Sequence, residues 1–228
     1  MMKRLLFLVY VMLIGVAASA QEFTLEYEPG YGTYNMSSMK DHLKQMLQTN
    51  ALKGQKTTDN FSGYLTHDLR MGCLINRHHF GVLFSHMNTA GQNHLADYSG
   101  EYKYRIRVYG NKLGAFYRFA LSRPSAFTPF IELSTGAVFS TSTIDLSMRL
   151  EGVQKEEEQA KLKGTNLFVQ PALGLSYRFC NFAGALISVG YEWNPVTNMS
   201  LEGNKSTIDA DWSGVRISVG IITYFKTK

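Results

Sequence analysis

The chain has 228 residues, 45% of them hydrophobic, 13% aromatic and 18% charged, with a formal net charge of +5. That length fits a targeting segment and one domain. The mild basic excess forms no stripe of the kind that binds nucleic acid. Cys73 and Cys180 are too few for a disulfide framework and are expected as free thiols.

Lys3 and Arg4 precede an apolar run from Leu5 to Val16, and Ala18-Ser19-Ala20 fits a small-x-small cleavage pattern. Residues 1–20 are therefore expected to be a cleaved signal peptide and 21–228 one exported domain. The run is short for a spanning helix, which needs ~20 apolar residues, and no later stretch qualifies. No Cys follows the cut, so no lipid-modified N-terminus is expected.

The first strand is expected over 22–34, where Pro29, Gly30 and Gly32 suggest a bulge or an early exit from a sheet. Ser37 or Ser38 can cap a helix with Met39, Leu43, Met46 and Leu47 on one face, a lid-like element in the first external loop. Further strands are expected over 62–75, 80–88, 101–119, 127–140, 166–179, 183–193 and 212–225. Gly110-Asn111 in the fourth could be a bulge or a turn. The last strand is the clearest. Val215, Ile217, Val219, Ile221 and Phe225 share one face, against Gly214, Arg216, Ser218, Gly220, Ile222 and Tyr224.

In a soluble sandwich the polar face would meet water and carry many Lys, Glu and Thr. Here that face mixes Gly, Ser and single charges, which suits the interior of a narrow barrel. Tyr177, Phe179, Tyr191, Trp193, Trp212, Tyr224 and Phe225 lie near strand ends, as the aromatic girdles of a membrane barrel do. Connections alternate in length. Asn76–His79, Ala120–Ala126 and Cys180-Asn181 are short. Asn88–Gly100, Thr141–Gly164 (with the charge run Lys155-Glu156-Glu157-Glu158) and Asn194–Asp211 are long. The expected fold is all-β, an eight-stranded antiparallel up-and-down transmembrane barrel with a short helix in the first external loop, placed in the outer membrane.

The inward face of these strands offers Glu26 and Glu28, then Asp68 and Arg70, Lys112 and Arg118, Glu132, Arg178, Glu192 and Arg216. The third strand offers no charge. Adjacent strands lie about 5 Å apart, so long side chains on neighbours can pair. An unpaired charge in a narrow lumen is costly, and eight strands enclose a space that side chains can fill. A lumen plugged by a salt-bridge network is expected, with an ion pathway as the competing reading.

Tyr98-Ser99-Gly100-Glu101-Tyr102, Leu113 to Phe119 and Thr128-Pro129-Phe130-Ile131-Glu132 running to Gly136 carry a resemblance. On them the chain resembles the outer-membrane protein β-barrel family of the small OmpA/OmpX type, in its Bacteroidota form. Ile222-Thr223-Tyr224-Phe225 is similar to the C-terminal assembly signal of such barrels, although Lys226-Thr227-Lys228 follow. The resemblance implies outer-membrane lipid, lipopolysaccharide and the barrel-assembly machinery as partners. It implies no single function, because the fold hosts adhesins, stability factors, pores and lipid enzymes.

The enzyme alternative is lipid A deacylation, which in small barrels uses a His-x-Ser-Asn motif. Phe84-Ser85-His86-Met87-Asn88 matches only in part, and Ser85 and His86 should face opposite ways on a strand. His78-His79 is expected as a solvated turn rather than a metal site. The Asn194–Asp211 segment, with Glu202 and Asp209, lacks the spacing of a calcium loop. No cofactor and no catalytic residue is assigned.

Overall fold

A computed structural model of the chain describes residues 22–49, 56–97, 100–123, 125–150, 156–195, 197, 199–201, 204–206 and 208–226. The expected signal peptide, 1–20, lies outside them. Strands follow in the order β1 (Glu22–Gly32), β2 (Lys56–Asn60), β3 (Tyr64–Ile75), β4 (His78–Asp97), β5 (Gly100–Ala120) and β6 (Phe127–Leu150). They continue with β7 (Glu156–Arg178), β8 (Ala183–Glu192), β9 (Met199–Leu201), β10 (Asn204–Lys205) and β11 (Gly214–Lys226). One helix, α1 (Ser37–Thr49), separates β1 from β2.

Eight strands form a closed antiparallel ring in the order β1, β3, β4, β5, β6, β7, β8, β11 and back to β1. A hydrogen-bonded row that leaves β8 at Trp193 passes Val169, Thr135, Ala115, Val82, Met71, Leu25 and Thr223, and returns to β8 at Ala183. That is a stagger of ten residues, which in eight strands corresponds to a tilt of about 40°. The short turns and both ends of the described chain gather at one end of the barrel, here the turn end. Helix α1 and the longest strands gather at the other, the loop end.

Period-two alternation sets the barrel wall. On β11, Val215, Ile217, Val219 and Ile221 are exposed on the outer face, while Arg216, Ser218 and Ile222 are buried within. β-branched residues suit this pleated surface. Polar side chains on the outer face are satisfied in pairs: His67 with Tyr27, His78 with Tyr117 and His86 with Asn111.

Four expectations give way here. Asn88–Gly100 and Thr141–Gly164 are not long loops. β4 runs to Asp97, and β6 and β7 stay paired from Phe127↔Tyr177 to Met148↔Glu156, so the charge run at Glu156 begins a strand. Gly110-Asn111 is neither bulge nor turn, since β5 pairs with β6 without a break from Gly100↔Leu150 to Ala120↔Phe130. Gly110 has a packing reason instead: a Cβ there would stand 2.7 Å from the Trp212 ring. The register of β1 against β3 is also unbroken, so Pro29 and Gly30 make no bulge.

Beyond the ring, β2 pairs with the end of β4, β9 with β7, and β10 with β9. These strands wall a cap. Its core holds Met39 and Leu43 of α1 with Phe61, Ile106, Val108 and Trp212, all buried. The helix is tied down at three points. Asn93 donates to the Leu43 carbonyl at 2.8 Å, His42 and Tyr104 share a 2.8 Å hydrogen bond, and the Asp209 main-chain N–H donates to Ser38 at 3.1 Å.

Candidate functional site

The inward charges gather into three groups at different depths. The largest is central. Arg118 on β5 reaches across the lumen to Glu26 on β1, with Nη1–Oε1 and Nη2–Oε2 both at 3.1 Å. Its Nε donates to Glu132 at 2.8 Å. Arg70 on β3 donates to the other Glu132 oxygen at 2.5 Å and lies 3.2 Å from Glu28 and 3.5 Å from Asp68. Ser218 donates to Glu28 at 3.0 Å and Ser134 to Glu132 at 3.1 Å. The Arg118 guanidinium also stacks over Phe130, 4.3 Å from the ring centre. Every member is buried, so each carboxylate exchanges its water shell for guanidinium and hydroxyl donors.

The second group lies toward the loop end. Glu192 on β8 accepts from Lys112 at 3.0 Å and from Arg216 at 3.1 Å, and Lys112 also donates to Gln170 at 3.1 Å. Arg216 is fixed further by the carbonyls of Thr33 at 2.7 Å and Trp212 at 2.8 Å. The third group closes the turn end. Arg178 grips Glu22 with two hydrogen bonds, at 2.8 and 2.9 Å, and lies 3.9 Å from the Tyr224 ring centre.

All ten inward charges read from the sequence thus face the lumen, but their pairing is not a simple alternation around the wall. Arg178 pairs with neither Glu132 nor Glu192. Strand tilt sets it at the turn end, beside Glu22, a residue outside the ten. The central bridge from Arg118 to Glu26 crosses the lumen instead of joining neighbours.

Other residues were misplaced by sequence reasoning. Trp212 and Tyr224 are not girdle aromatics. Trp212 is fully buried in the cap core, edge-on to Tyr34 at 4.9 Å, with Nε1 donating to Ser140 at 2.9 Å. Tyr224 points into the lumen. His78 and His79 are not a solvated turn, because β4 begins at His78 and the two rings face opposite ways. His78 bonds the Tyr117 hydroxyl outside. His79 is buried inside, 2.7 Å from Thr24 and 3.6 Å from Glu26. Starting the strand two residues earlier would have revealed His79 as an inward residue.

Above the barrel wall, burial pushes the Tyr104 phenol up to about 12 and lowers the His42 imidazole beneath its usual range. Ser85 is buried in the lumen, whereas His86 turns outward to Asn111 at 2.9 Å, so this pair cannot form a nucleophile–base contact. Cys73 and Cys180 are free. Among the described residues no three His, Cys, Asp or Glu side chains converge as a metal site.

No protein-family model matches the chain, and no curated protein matches it in sequence. Several solved structures are similar to the chain. The outer membrane protein OprG from Pseudomonas aeruginosa is 14% identical, with a TM-score of 0.48 over 92% of this chain and 98% of that one. Neisserial surface protein A is 12% identical, with a TM-score of 0.45 over 90% of this chain and 98% of that one. The outer membrane protease OmpT from Escherichia coli is 7% identical, with a TM-score of 0.37 over 90% of this chain and 96% of that one.

Proposed function

We propose that the chain is an integral outer-membrane protein whose closed barrel anchors a structured cap at the cell surface. Its role is non-enzymatic, in surface interaction or envelope stability. The observation that carries this reading is an inversion along β5. In the barrel half of the strand, Leu113 and Tyr117 are exposed outside while Lys112 and Arg118 are buried inside. Beyond Tyr109 the pattern reverses: Val108, Ile106 and Tyr104 are buried inside, and Arg107, Arg105 and Lys103 face outward. One strand carries two opposite patterns when its surroundings change from hydrocarbon to water along its length.

The loop end then faces the exterior, with the short turns and the chain ends in the periplasm. Arg105, Lys161 and Lys163 stand just beyond the apolar belt, where phosphates of outer-leaflet lipid, lipopolysaccharide included, would meet them. The aromatic end at Phe225 fits a signal for the barrel-assembly machinery, and the Bacteroidota resemblance belongs to the same proposal. The ten inward charges are all held in ion pairs, which supports a closed lumen over a channel.

Two experiments test this. The protein should fractionate with the outer membrane and stay folded in mild detergent. Recovery from the periplasm as a soluble monomer would contradict it. In planar bilayers it should show no stable ion-selective open state. Steady currents abolished by Lys112 or Glu192 substitutions would establish the pore instead.

A further inference from the structure

A cup opens into the lumen from the turn end, beneath the central charge group. Its volume is about 600 Å³ including the part open to solvent. Leu74, Ala120, Phe130, Ile222 and Tyr224 supply an apolar wall. Thr128 and Ser176 add hydroxyls, and the buried Arg118 and His79 form the floor. Arg178 and Arg77 stand at the mouth.

The two mouth cations differ. Arg178 is neutralised by Glu22. Arg77 is held by the carbonyls of Leu121 at 3.0 Å and Ser122 at 3.3 Å, with its guanidinium over Phe119. Among the described residues Arg77 forms no salt bridge, and no carboxylate lines the cup. The carboxylates nearby, Glu22 and Glu26, are paired with Arg178 and Arg118. A guest in the cup therefore meets hydrocarbon at the wall and guanidinium N–H groups at mouth and floor. Arg is suited to such recognition because its planar fork binds a carboxylate with two parallel hydrogen bonds.

We propose that this cup is a binding site for a small amphipathic carboxylate, its apolar body against Phe130, Ile222 and Tyr224 and its anionic group on Arg77. The site needs only the closed lumen above it and adds a ligand that the anchoring role does not.

The test uses the full mature chain in nanodiscs, titrated with 4-phenylbutyrate and with its neutral amide while backbone amide resonances are followed. Saturable shifts confined to Thr128, Ser176 and Tyr224, stronger for the carboxylate than for the amide, are expected. Arg77→Gln, a turn substitution outside the barrel wall, should weaken binding about tenfold or more, through the loss of its charge-assisted hydrogen bonds. Ser176→Trp, which fills the cup, should abolish the shifts. Equal midpoints for acid and amide, or shifts that survive Ser176→Trp, would overturn the proposal. The same samples tested for conductance keep the two ideas apart: a silent barrel that binds nothing refutes the cup alone.

Discussion

The two ends of β5 use the same two-residue period to opposite effect. In the barrel half the inner face is ionic, with Lys112 and Arg118 held by Glu192, Glu26 and Glu132. In the cap half the inner face is apolar, with Ile106 and Val108 packed near Trp212, Met39 and Leu43. The changeover lies at Gly110, whose missing side chain leaves room for Trp212. Alternation alone therefore fixes which residues share a face, but the surroundings decide which face is buried. On the proposed membrane reading, a barrel in lipid fills its narrow interior with paired charges, and the same sheet in water needs an ordinary hydrophobic core.

The largest predicted effect separates the two halves by charge. Arg118→Ala leaves Glu26 and Glu132 buried with fewer partners and should cost about 3–5 kcal/mol in urea unfolding from lipid vesicles. Arg107→Ala removes an outer partner of Asp145, whose side chain is 22% exposed while that of Arg107 is 41% exposed. It should cost under about 1 kcal/mol. Similar losses from both would erase the distinction between lumen and outer wall.

A comparable loss is expected from the cap core. Trp212→Ala should cost about 3–5 kcal/mol by opening a cavity. It should speed hydrogen exchange in α1 and leave exchange in β8 unchanged, since the ring packs on cap residues and not on the turn-end lumen. Uniform loss of protection would mean that cap and barrel are one cooperative unit.

The apolar outer wall comes next. Val219→Arg places a charge on the outer face and should destabilise by about 2–4 kcal/mol. Ser218→Thr, facing Glu28 and Ser188 within, should be milder. Equal folding yields for the two in vesicles would mean that the faces of β11 are assigned the wrong way round.

The smallest effect is a pH dependence of the cap. Burial lowers the His42 imidazole, so the folded state binds fewer protons there than the unfolded state. The stabilisation is present above the unfolded value of about 6.5 and is lost as pH falls through the lower folded value. Exchange in α1 should quicken on acidification, and His42→Gln should flatten that response.

Most of the barrel was legible because its outer apolar face is continuous, and single inward charges such as Arg118 and Glu132 stand out against Gly and Ser. The cap was not, and for a definite reason. Residues 88–97 and 141–150 were read as loops because their outer face is polar, yet strand pairing continues through both, with the buried Thr89 and Asn93 turned inward on the first and Ile144 and Leu146 turned to the cap core on the second. Trp212 was misread by the same logic: an aromatic near a strand end looks like a girdle residue until the cap above it is known. The pairing of Arg178 with Glu22 was beyond sequence reasoning because it depends on depth. Depth follows from the ten-residue stagger of the closed ring.

The most direct test is to locate the change of surroundings along β5. Spin labels placed singly at Tyr117, Leu113, Tyr109, Arg107 and Arg105, with Cys73 and Cys180 replaced by Ser, would be compared in liposomes for collision with oxygen and with a water-soluble nickel chelate. Labels at Tyr117 and Leu113 should favour oxygen, those at Arg107 and Arg105 the chelate, with the crossover near Tyr109. Equal chelate access at all five positions would contradict a membrane-spanning barrel with an aqueous cap.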